Sequence, residues 1–225
     1  MLLPLLLLAL PASAFQPAAE PDKLIALYQH DRGSLMRYYD IDSPARRKRM
    51  EQFTREWLTQ LEKVRFDNLN VGARIDYVVF HNYLEHELKQ LELQSQWAAE
   101  TEPILPFAQA ILGLEDARRK IETMNARDTA AKITRLAAEV EKARKDSAAL
   151  IKEKKIAAAR ASRILASLRN TLKTWYGFYD GYDPMFSWWV AQPYKALDKA
   201  IEIQDLYLLE KTGGKSGDYR RAAVS

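Results

Sequence analysis

The stretch VGARIDYVVFHNYLEHELKQLELQSQWAA, residues 71–99, decides the fold that the sequence predicts. Its apolar side chains recur at three- and four-residue spacing, which is the repeat of one face of an α-helix. The stripe consists of Tyr77, Phe80, Leu84, Leu88 and Leu91, and it is widened near its start by Ile75, Val78 and Val79. The sequence therefore predicts a long central helix that is covered by other elements on much of its surface.

Two helices are predicted upstream of this segment. Residues 22–29 form a short one, and Ser43-Pro44 begins the other because Ser is a favoured N-cap and Pro a favoured first helical residue. The apolar stripe of the second helix is Met50, Phe53, Trp57, Leu61 and Val64. Its remaining faces, which we expect to be exposed to solvent, carry Arg46, Arg47, Lys48, Arg49, Glu51 and Arg55.

Downstream, prolines and turn residues divide the chain into further helices. Pro103 and Pro106 end the central helix, and a short helix is expected over residues 114–124. Asp128 is a suitable N-cap for the next helix, whose stripe includes Ile133, Leu136, Val140 and Ala143.

Helical character then continues through residues 155–179 to the turn sequence Gly181-Tyr182-Asp183-Pro184, and Pro193 is expected to open the last helix. No segment shows sustained strand alternation. The sequence predicts an all-α fold, an antiparallel multi-helix array.

The N-terminus has the pattern of an export signal. Apolar residues 2–8 are followed by the small-x-small site Ala12-Ser13-Ala14, so residues 1–14 are predicted to be a signal peptide and the mature protein to be periplasmic or extracellular. The run is too short to span a bilayer, and no transmembrane segment is expected. The rest divides into residues 15–42 with a short helix, a helical domain of residues 43–210, and a disordered tail of residues 211–225.

Composition excludes several kinds of site. The 225 residues include no Cys and three His, and the formal net charge is +4. Disulfides, thiolate nucleophiles and Cys-ligated metals are therefore excluded. The charge is too small to imply nucleic-acid binding, and no nucleic-acid partner is predicted.

Gly214-Lys215-Ser216 matches the last three residues of a phosphate-binding loop. That motif also requires a Gly five positions before Gly214, where this sequence has Leu209, so the loop is rejected.

The sharpest cluster of polar side chains is HNYLEHE, residues 81–87. His81 and Glu85 share a helix face, whereas His86 lies about 140° round the helix from His81, so the two imidazoles cannot chelate one ion. The spacing also misses the His-Glu-x-x-His zinc motif. His81 is interpreted as a core imidazole that Glu85 satisfies, with a His–Glu pair lining a cleft as the alternative. No metal ligand is assigned.

Two further patterns each allow two interpretations. Residues 175–194 hold nine aromatic side chains, which form either a packed helix–turn–helix corner or the wall of a cleft for a peptide or sugar. Trp188 and Trp189 are adjacent and cannot share one helix face, so one of them faces outward or into a groove. Residues 142–173 hold ten cations, which form either a solvated helix face or a surface for an anionic polymer or lipid.

Three motifs together resemble a known family. They are SPARR at residues 43–47, RIDYVVFHNYLEHEL at residues 74–88, and WYGFYDGYDPMFSWWV at residues 175–190. From about Ser43 to Leu209 the chain resembles the N-terminal part of bacterial domain-of-unknown-function family 885. The resemblance implies an exported, all-helical protein similar to zinc metallopeptidases of the gluzincin kind. The family's zinc motif lies C-terminal to the matched region, so zinc is implied for complete members and no cofactor for this chain.

The sequence is accordingly interpreted as the N-terminal helical portion of such a protein, without catalytic residues of its own. It is expected to build one wall of a substrate cleft for a peptide, with substrate contacts at Asn82, Glu85, Trp188 and Trp189. The tail is interpreted as a frameshifted or prematurely ended reading frame. The alternatives are a self-standing periplasmic binding module that uses the aromatic corner or the basic face, a non-functional fragment, and a split enzyme whose zinc half is a second polypeptide.

Overall fold

The computed structural model describes residues 21–213, and their fold is all-α, as predicted. Eight α-helices and one short 3-10 turn, Phe66–Asn68, account for the regular structure of this part of the chain. The helices are α1 (Pro21–Tyr38), α2 (Pro44–Glu62), α3 (Val71–Thr101), α4 (Ala108–Arg119), α5 (Ala126–Asp146), α6 (Ala148–Glu153), α7 (Lys155–Tyr179) and α8 (Pro184–Thr212). The predicted signal peptide and residues 214–225 of the predicted tail lie outside the described residues.

Polar side chains cap the starts of α2, α5 and α8. The Ser43 hydroxyl accepts a hydrogen bond from the Ala45 amide at 3.2 Å, which confirms the predicted start of α2. Asp183 caps α8 by accepting from the amides of Met185 and Phe186. The cap predicted for α5 was wrong: Asn125 accepts from the Asp128 amide at 3.1 Å, and Asp128 lies in the first turn. Asn, like Asp, offers an acceptor to the free amides, so the sequence contained two suitable caps.

Other helix boundaries also differ from the predicted ones. α1 continues to Tyr38, well beyond the predicted end at residue 29. The helix expected over residues 114–124 is α4, which begins and ends earlier, at Ala108 and Arg119. Ile121 has a positive φ of 57°, and this left-handed conformation follows the end of α4. Pro193 does not open the last helix but lies inside α8. Asp183-Pro184 already supplies the cap and first-turn proline, so the helix begins there and tolerates Pro193 at the cost of one hydrogen bond.

Two groups of helices each have a core. In α1, α2 and α3 the fully buried side chains include Tyr28, Leu61 and Leu84. Tyr28 stacks on Phe53 with ring centroids 5.2 Å apart and meets the edge of Phe80 at the same distance. The larger core joins α4 to α8, with α8 packed against both α5 and α7. Burial of apolar surface of this extent is the main source of the fold's stability.

The long helix α3 connects the two groups, since it packs on α2 and α1 and also on α7. Polar contacts add to this connection. The Thr171 hydroxyl donates to the Asp40 carboxylate at 2.6 Å, and the Arg119 guanidinium donates to the Tyr38 carbonyl. Between residues 21 and 213, no helix combines the length and apolarity needed to cross a bilayer.

Candidate functional site

A cleft of about 1450 Å³ lies where α2, α3, α4 and α7 meet. Its apolar lining includes Leu58, Leu88, Leu91, Leu105 and Ile164. Small-molecule pockets typically enclose about 300 to 1000 Å³. The cleft is therefore large enough for an extended ligand rather than a single compact one.

The walls of the cleft differ in charge. The α2 wall carries Arg46, Arg47, Lys48, Glu51 and Arg55. The α3 wall carries Glu85, Lys89 and Glu92, with Glu102 just after its end, whereas α7 contributes Arg160 and Arg163. The cleft thus has basic walls on α2 and α7 and a mainly acidic wall on α3, a division that suits a ligand bearing both backbone polar groups and charges.

One aromatic side chain lines the cleft, Trp97 on α3, and 38% of its surface is exposed. The Arg160 guanidinium lies over its ring, 4.7 Å from the centroid, and is held by the Glu100 carboxylate at 2.5 Å. A cation over an indole face is attracted by the ring quadrupole. This contact holds the orientation of the ring at the edge of the cleft.

The two arginines at the start of α2 differ electrostatically from Arg32, Arg118 and Arg169, whose pKa values are raised. Arg46 donates to the Met36 sulfur at 2.8 Å and Arg47 to the Asp42 carbonyl oxygen at 2.9 Å. Burial lowers the pKa of both guanidinium groups, and repulsion by Arg32 lowers that of Arg46 further. Attraction by Asp40 and Asp42 on Arg46, and by Asp42 on Arg47, does not offset these effects. Burial in turn raises the pKa of Asp42, although the Ser167 hydroxyl binds its carboxylate.

The expectation that Arg46 and Arg47 face solvent was wrong, since both are half-buried and line the cleft. Helical periodicity identifies the apolar stripe but not the residues beside it that a neighbouring helix covers. One signal in the sequence could have singled them out. Four consecutive cations, Arg46 to Arg49, lie in the first two turns of α2, and its first turn holds no acidic residue, although the N-terminal end of a helix favours negative charge.

Of the predicted site residues on α3, Glu85 lines the cleft, whereas Asn82 is exposed on the helix surface outside it. His81 is not a core residue as interpreted, because a third of its side chain is exposed. Its Nδ1 is 3.9 Å from the Glu85 carboxylate, and its ring stacks on Tyr77. Tyr28 and Phe53 fill the core beside α3, which leaves the imidazole at the rim.

The aromatic segment divides between core and surface. Trp175 and Phe186 are buried and meet edge to face at 5.4 Å, and Tyr176 stacks on Tyr194 at 3.9 Å. Burial and a hydrogen bond to Asp180 raise the pKa of Tyr176 to about 12.

Trp188 is 80% exposed, whereas Trp189 is 38% exposed and lies under the Arg127 guanidinium at 5.5 Å. Neither tryptophan lines the cleft. The predicted substrate contacts on α3 and α8 are therefore not gathered in one pocket.

The ten cations of residues 142–173 do not form one face. They are distributed over α5, α6 and α7, and several are engaged individually. Arg169 makes a bidentate pair with Asp198 at 2.6 and 2.9 Å, and Arg160 is bound by Glu100 and Trp97, whereas Arg163 lines the cleft.

Zinc, which the resemblance implies for complete family members, does not fit the side chains of residues 21–213. In that part of the chain no three His, Cys, Asp or Glu side chains come together in a group that could hold a metal ion. His86 is exposed on a different face of α3 from the His81–Glu85 pair.

Comparison with known proteins does not assign the chain to a family. No family profile matches it, and no solved structure matches it. Short stretches are similar to cyclic pyranopterin monophosphate synthases. The match is 57% identical over 30 residues for the protein of Peptoclostridium acidaminophilum, covering 13% of this chain and 19% of that protein. It is 70% identical over 27 residues for the Bacillus thuringiensis (strain Al Hakam) protein, covering 12% and 17%. The chain thus spans less than a fifth of these curated proteins.

Proposed function

We propose that this chain is a peptide-binding, non-catalytic helical part of an exported protein, and that the peptide occupies the cleft between α2, α3, α4 and α7. The observation that carries the proposal is the cleft itself. It has a volume of about 1450 Å³, an apolar floor, walls of opposite charge and one oriented indole, Trp97. An extended peptide matches these features because it presents apolar side chains, backbone polar groups and charged ends along its length.

The resemblance to domain-of-unknown-function family 885 supports the proposal that this chain contributes to a substrate cleft. It implies an N-terminal helical part that forms one wall of a substrate cleft, and Glu85, one of the residues expected there, lines the observed cleft. The sequence contains no His-Glu-x-x-His motif, so binding rather than cleavage is the proposed role. Export is proposed from the sequence pattern of residues 1–14, and N-terminal sequencing of the protein from a periplasmic fraction tests it.

Binding of short fluorescein-labelled peptides, followed by fluorescence anisotropy, tests the location of the site. Trp97→Ala removes the indole that lines the cleft, and we expect roughly 5- to 10-fold weaker binding, because buried aromatic contacts dominate interface energies. Trp188→Ala is the matched control, since that indole is exposed outside the cleft. Equal affinities for the Trp97→Ala variant and the unsubstituted chain would contradict the proposed location.

The exposed aromatic corner between α7 and α8 is the second candidate surface. Tyr182, Met185 and Trp188 are 86%, 60% and 80% exposed, an unusual concentration of large apolar side chains at one turn. The same experiment separates the two surfaces. Weaker peptide binding by the Trp188→Ala variant with unchanged binding by Trp97→Ala would favour the corner and reject the cleft.

A further inference from the structure

The N-terminal end of α2 carries a cluster of positive charge, which the dipole of the helix disfavours. Arg46, Arg47, Lys48 and Arg49 are consecutive and run from the first turn of α2 into its second, and the first turn holds no acidic residue. The free amides at a helix N-terminus carry partial positive charge, so cations there are repelled. Arg49 is partly neutralised by Glu56 at 3.5 Å. An arrangement that breaks a local rule without an evident structural compensation is most often found at a functional site.

Among residues 21–213, no carboxylate lies at ion-pair distance from the guanidinium groups of Arg46 and Arg47. Their hydrogen bonds go to a thioether sulfur and to a backbone carbonyl, and both side chains are half-buried in the cleft. Arg118 shows the contrast: its bidentate bond to Glu115 raises its pKa, whereas burial lowers the pKa of Arg46 and Arg47. Asp40 and Asp42 attract Arg46, and Asp42 attracts Arg47, but the Asp40 carboxylate is bound by Thr171 and the Asp42 carboxylate by Ser167. Positive charge therefore faces the cleft without full neutralisation.

A third cation, Arg163, lines the same cleft from α7. Ser167 on α7 reaches Asp42, and Arg163 lies one turn before Ser167 on the same face of α7. Arg163 is exposed, lines the same cleft and has no acidic partner among the described residues. Arg160 lies three residues before Arg163 on α7, but its guanidinium is bound by Glu100 and lies over the ring of Trp97. Guanidinium groups without a carboxylate at ion-pair distance among the described residues thus line the cleft on both α2 and α7.

We propose that Arg46, Arg47 and Arg163 bind a carboxylate of the ligand, so that the cleft selects acidic peptides. A guanidinium presents parallel N–H donors that match a carboxylate in a bidentate manner. The carboxylate belongs either to an Asp or Glu side chain or to the C-terminus of the peptide. This inference rests on the proposed function, because it specifies the chemistry of the ligand in the same cleft.

Three labelled peptides of equal length, with glutamate, glutamine or lysine at the same positions, test the inference by fluorescence anisotropy. We expect the glutamate peptide to bind roughly 10-fold more tightly than the glutamine peptide, the usual size of a hydrogen bond to a charged group. The difference should shrink as salt is added, because the charges are only half-buried. Amidation of the peptide C-terminus separates a terminal carboxylate from a side-chain carboxylate as the bound group.

The double variant Arg46→Gln, Arg47→Gln should bind the glutamate and glutamine peptides with equal affinity and retain the binding of the glutamine peptide. Arg163→Gln should lose part of the preference. Arg135→Gln is the control, since Arg135 is exposed on α5 outside the cleft. Far-UV circular dichroism and thermal unfolding check the fold of each variant.

The outcomes distinguish the two proposals. If none of the three peptides binds, the proposed function itself fails. If all three bind with equal affinity, the cleft binds peptides but the selection of acidic ligands is overturned. A preference for glutamate that persists in a well-folded double variant overturns the assignment to Arg46 and Arg47.

Discussion

The buried carboxylate of Glu115 offers a direct test of how the two helix groups are held together. Its side chain is 1% exposed and accepts hydrogen bonds from Arg118 at 2.5 and 2.7 Å and from Arg119 at 2.8 Å. Arg119 also donates to the carbonyls of Arg37 and Tyr38 at the end of α1. One carboxylate thus orients a guanidinium that connects α4 with α1.

Glu115→Gln keeps the shape of the side chain and removes its charge. Breaking a buried ion pair by removing one partner costs about 3 to 5 kcal/mol, because the other charge stays buried. Arg118 and Arg119 remain 20% and 24% exposed and can be partly resolvated, so we expect a loss of roughly 2 to 3 kcal/mol in the free energy of unfolding. Urea denaturation followed by far-UV circular dichroism measures it.

The pH dependence gives an independent check. Burial pushes the pKa of Glu115 upward, but the bonds from Arg118 and Arg119 outweigh it and hold the pKa below its ordinary value. A carboxylate with a lowered folded-state pKa stabilises the fold above its unfolded-state pKa, about 4.3. That stabilisation disappears as the pH falls through the folded-state value. The difference between the unsubstituted chain and Glu115→Gln should therefore be constant near neutral pH and shrink below about pH 4.

Glu51→Gln is the matched control. Glu51 pairs with Arg55 at 2.9 Å, but the two side chains are 50% and 64% exposed, and exposed pairs contribute about 0 to 1 kcal/mol. The reasoning is refuted if Glu115→Gln destabilises the protein no more than Glu51→Gln does, or if its effect does not change at acid pH.

Three other substitutions test single features of the fold by the same urea titration. Ile121 is 90% exposed at a positive φ of 57°, so Ile121→Asn should raise the free energy of unfolding by about 1 kcal/mol; a decrease would mean that its side chain makes a stabilising contact. Asn125→Ala should cost about 1 kcal/mol and Asp128→Ala only about 0.5 kcal/mol; the reverse order would restore Asp128 as the cap of α5. Leu165→Ala, at a fully buried position, should cost about 2 to 5 kcal/mol, and a loss near that of the half-exposed Leu206→Ala would contradict its place in the core.

Local chemistry explains which parts of the fold could be predicted. The Ser43-Pro44 start and the Gly181–Pro184 turn depend on residues that determine the backbone directly, and both are observed. Pro193 shows where this reasoning fails. A proline favours the first turn of a helix but does not require it, and the contacts of α8 with α5 and α7 outweigh the lost hydrogen bond.

The cleft could not be predicted because its walls come from four helices that are distant in sequence. A periodic pattern separates a buried face from an exposed face, but it does not distinguish exposure to bulk solvent from exposure to a groove. Arg46 and Arg47 were assigned to solvent for this reason. Glu85 was selected through the resemblance and lies in the cleft, whereas Trp188, selected in the same way, is at a separate surface.

The difference in length between α2 and α3 explains why the cleft exists. α3 has 31 residues and α2 has 19, so at about 1.5 Å per residue α3 extends roughly 18 Å beyond its partner. The extension carries Trp97 and packs toward α7, which leaves a space bounded by the start of α2. The first turn of α2 thus lies next to the core of α1, α2 and α3 and also forms an edge of the cleft. Cations there are disfavoured by the helix, and an acidic ligand in the cleft would neutralise them.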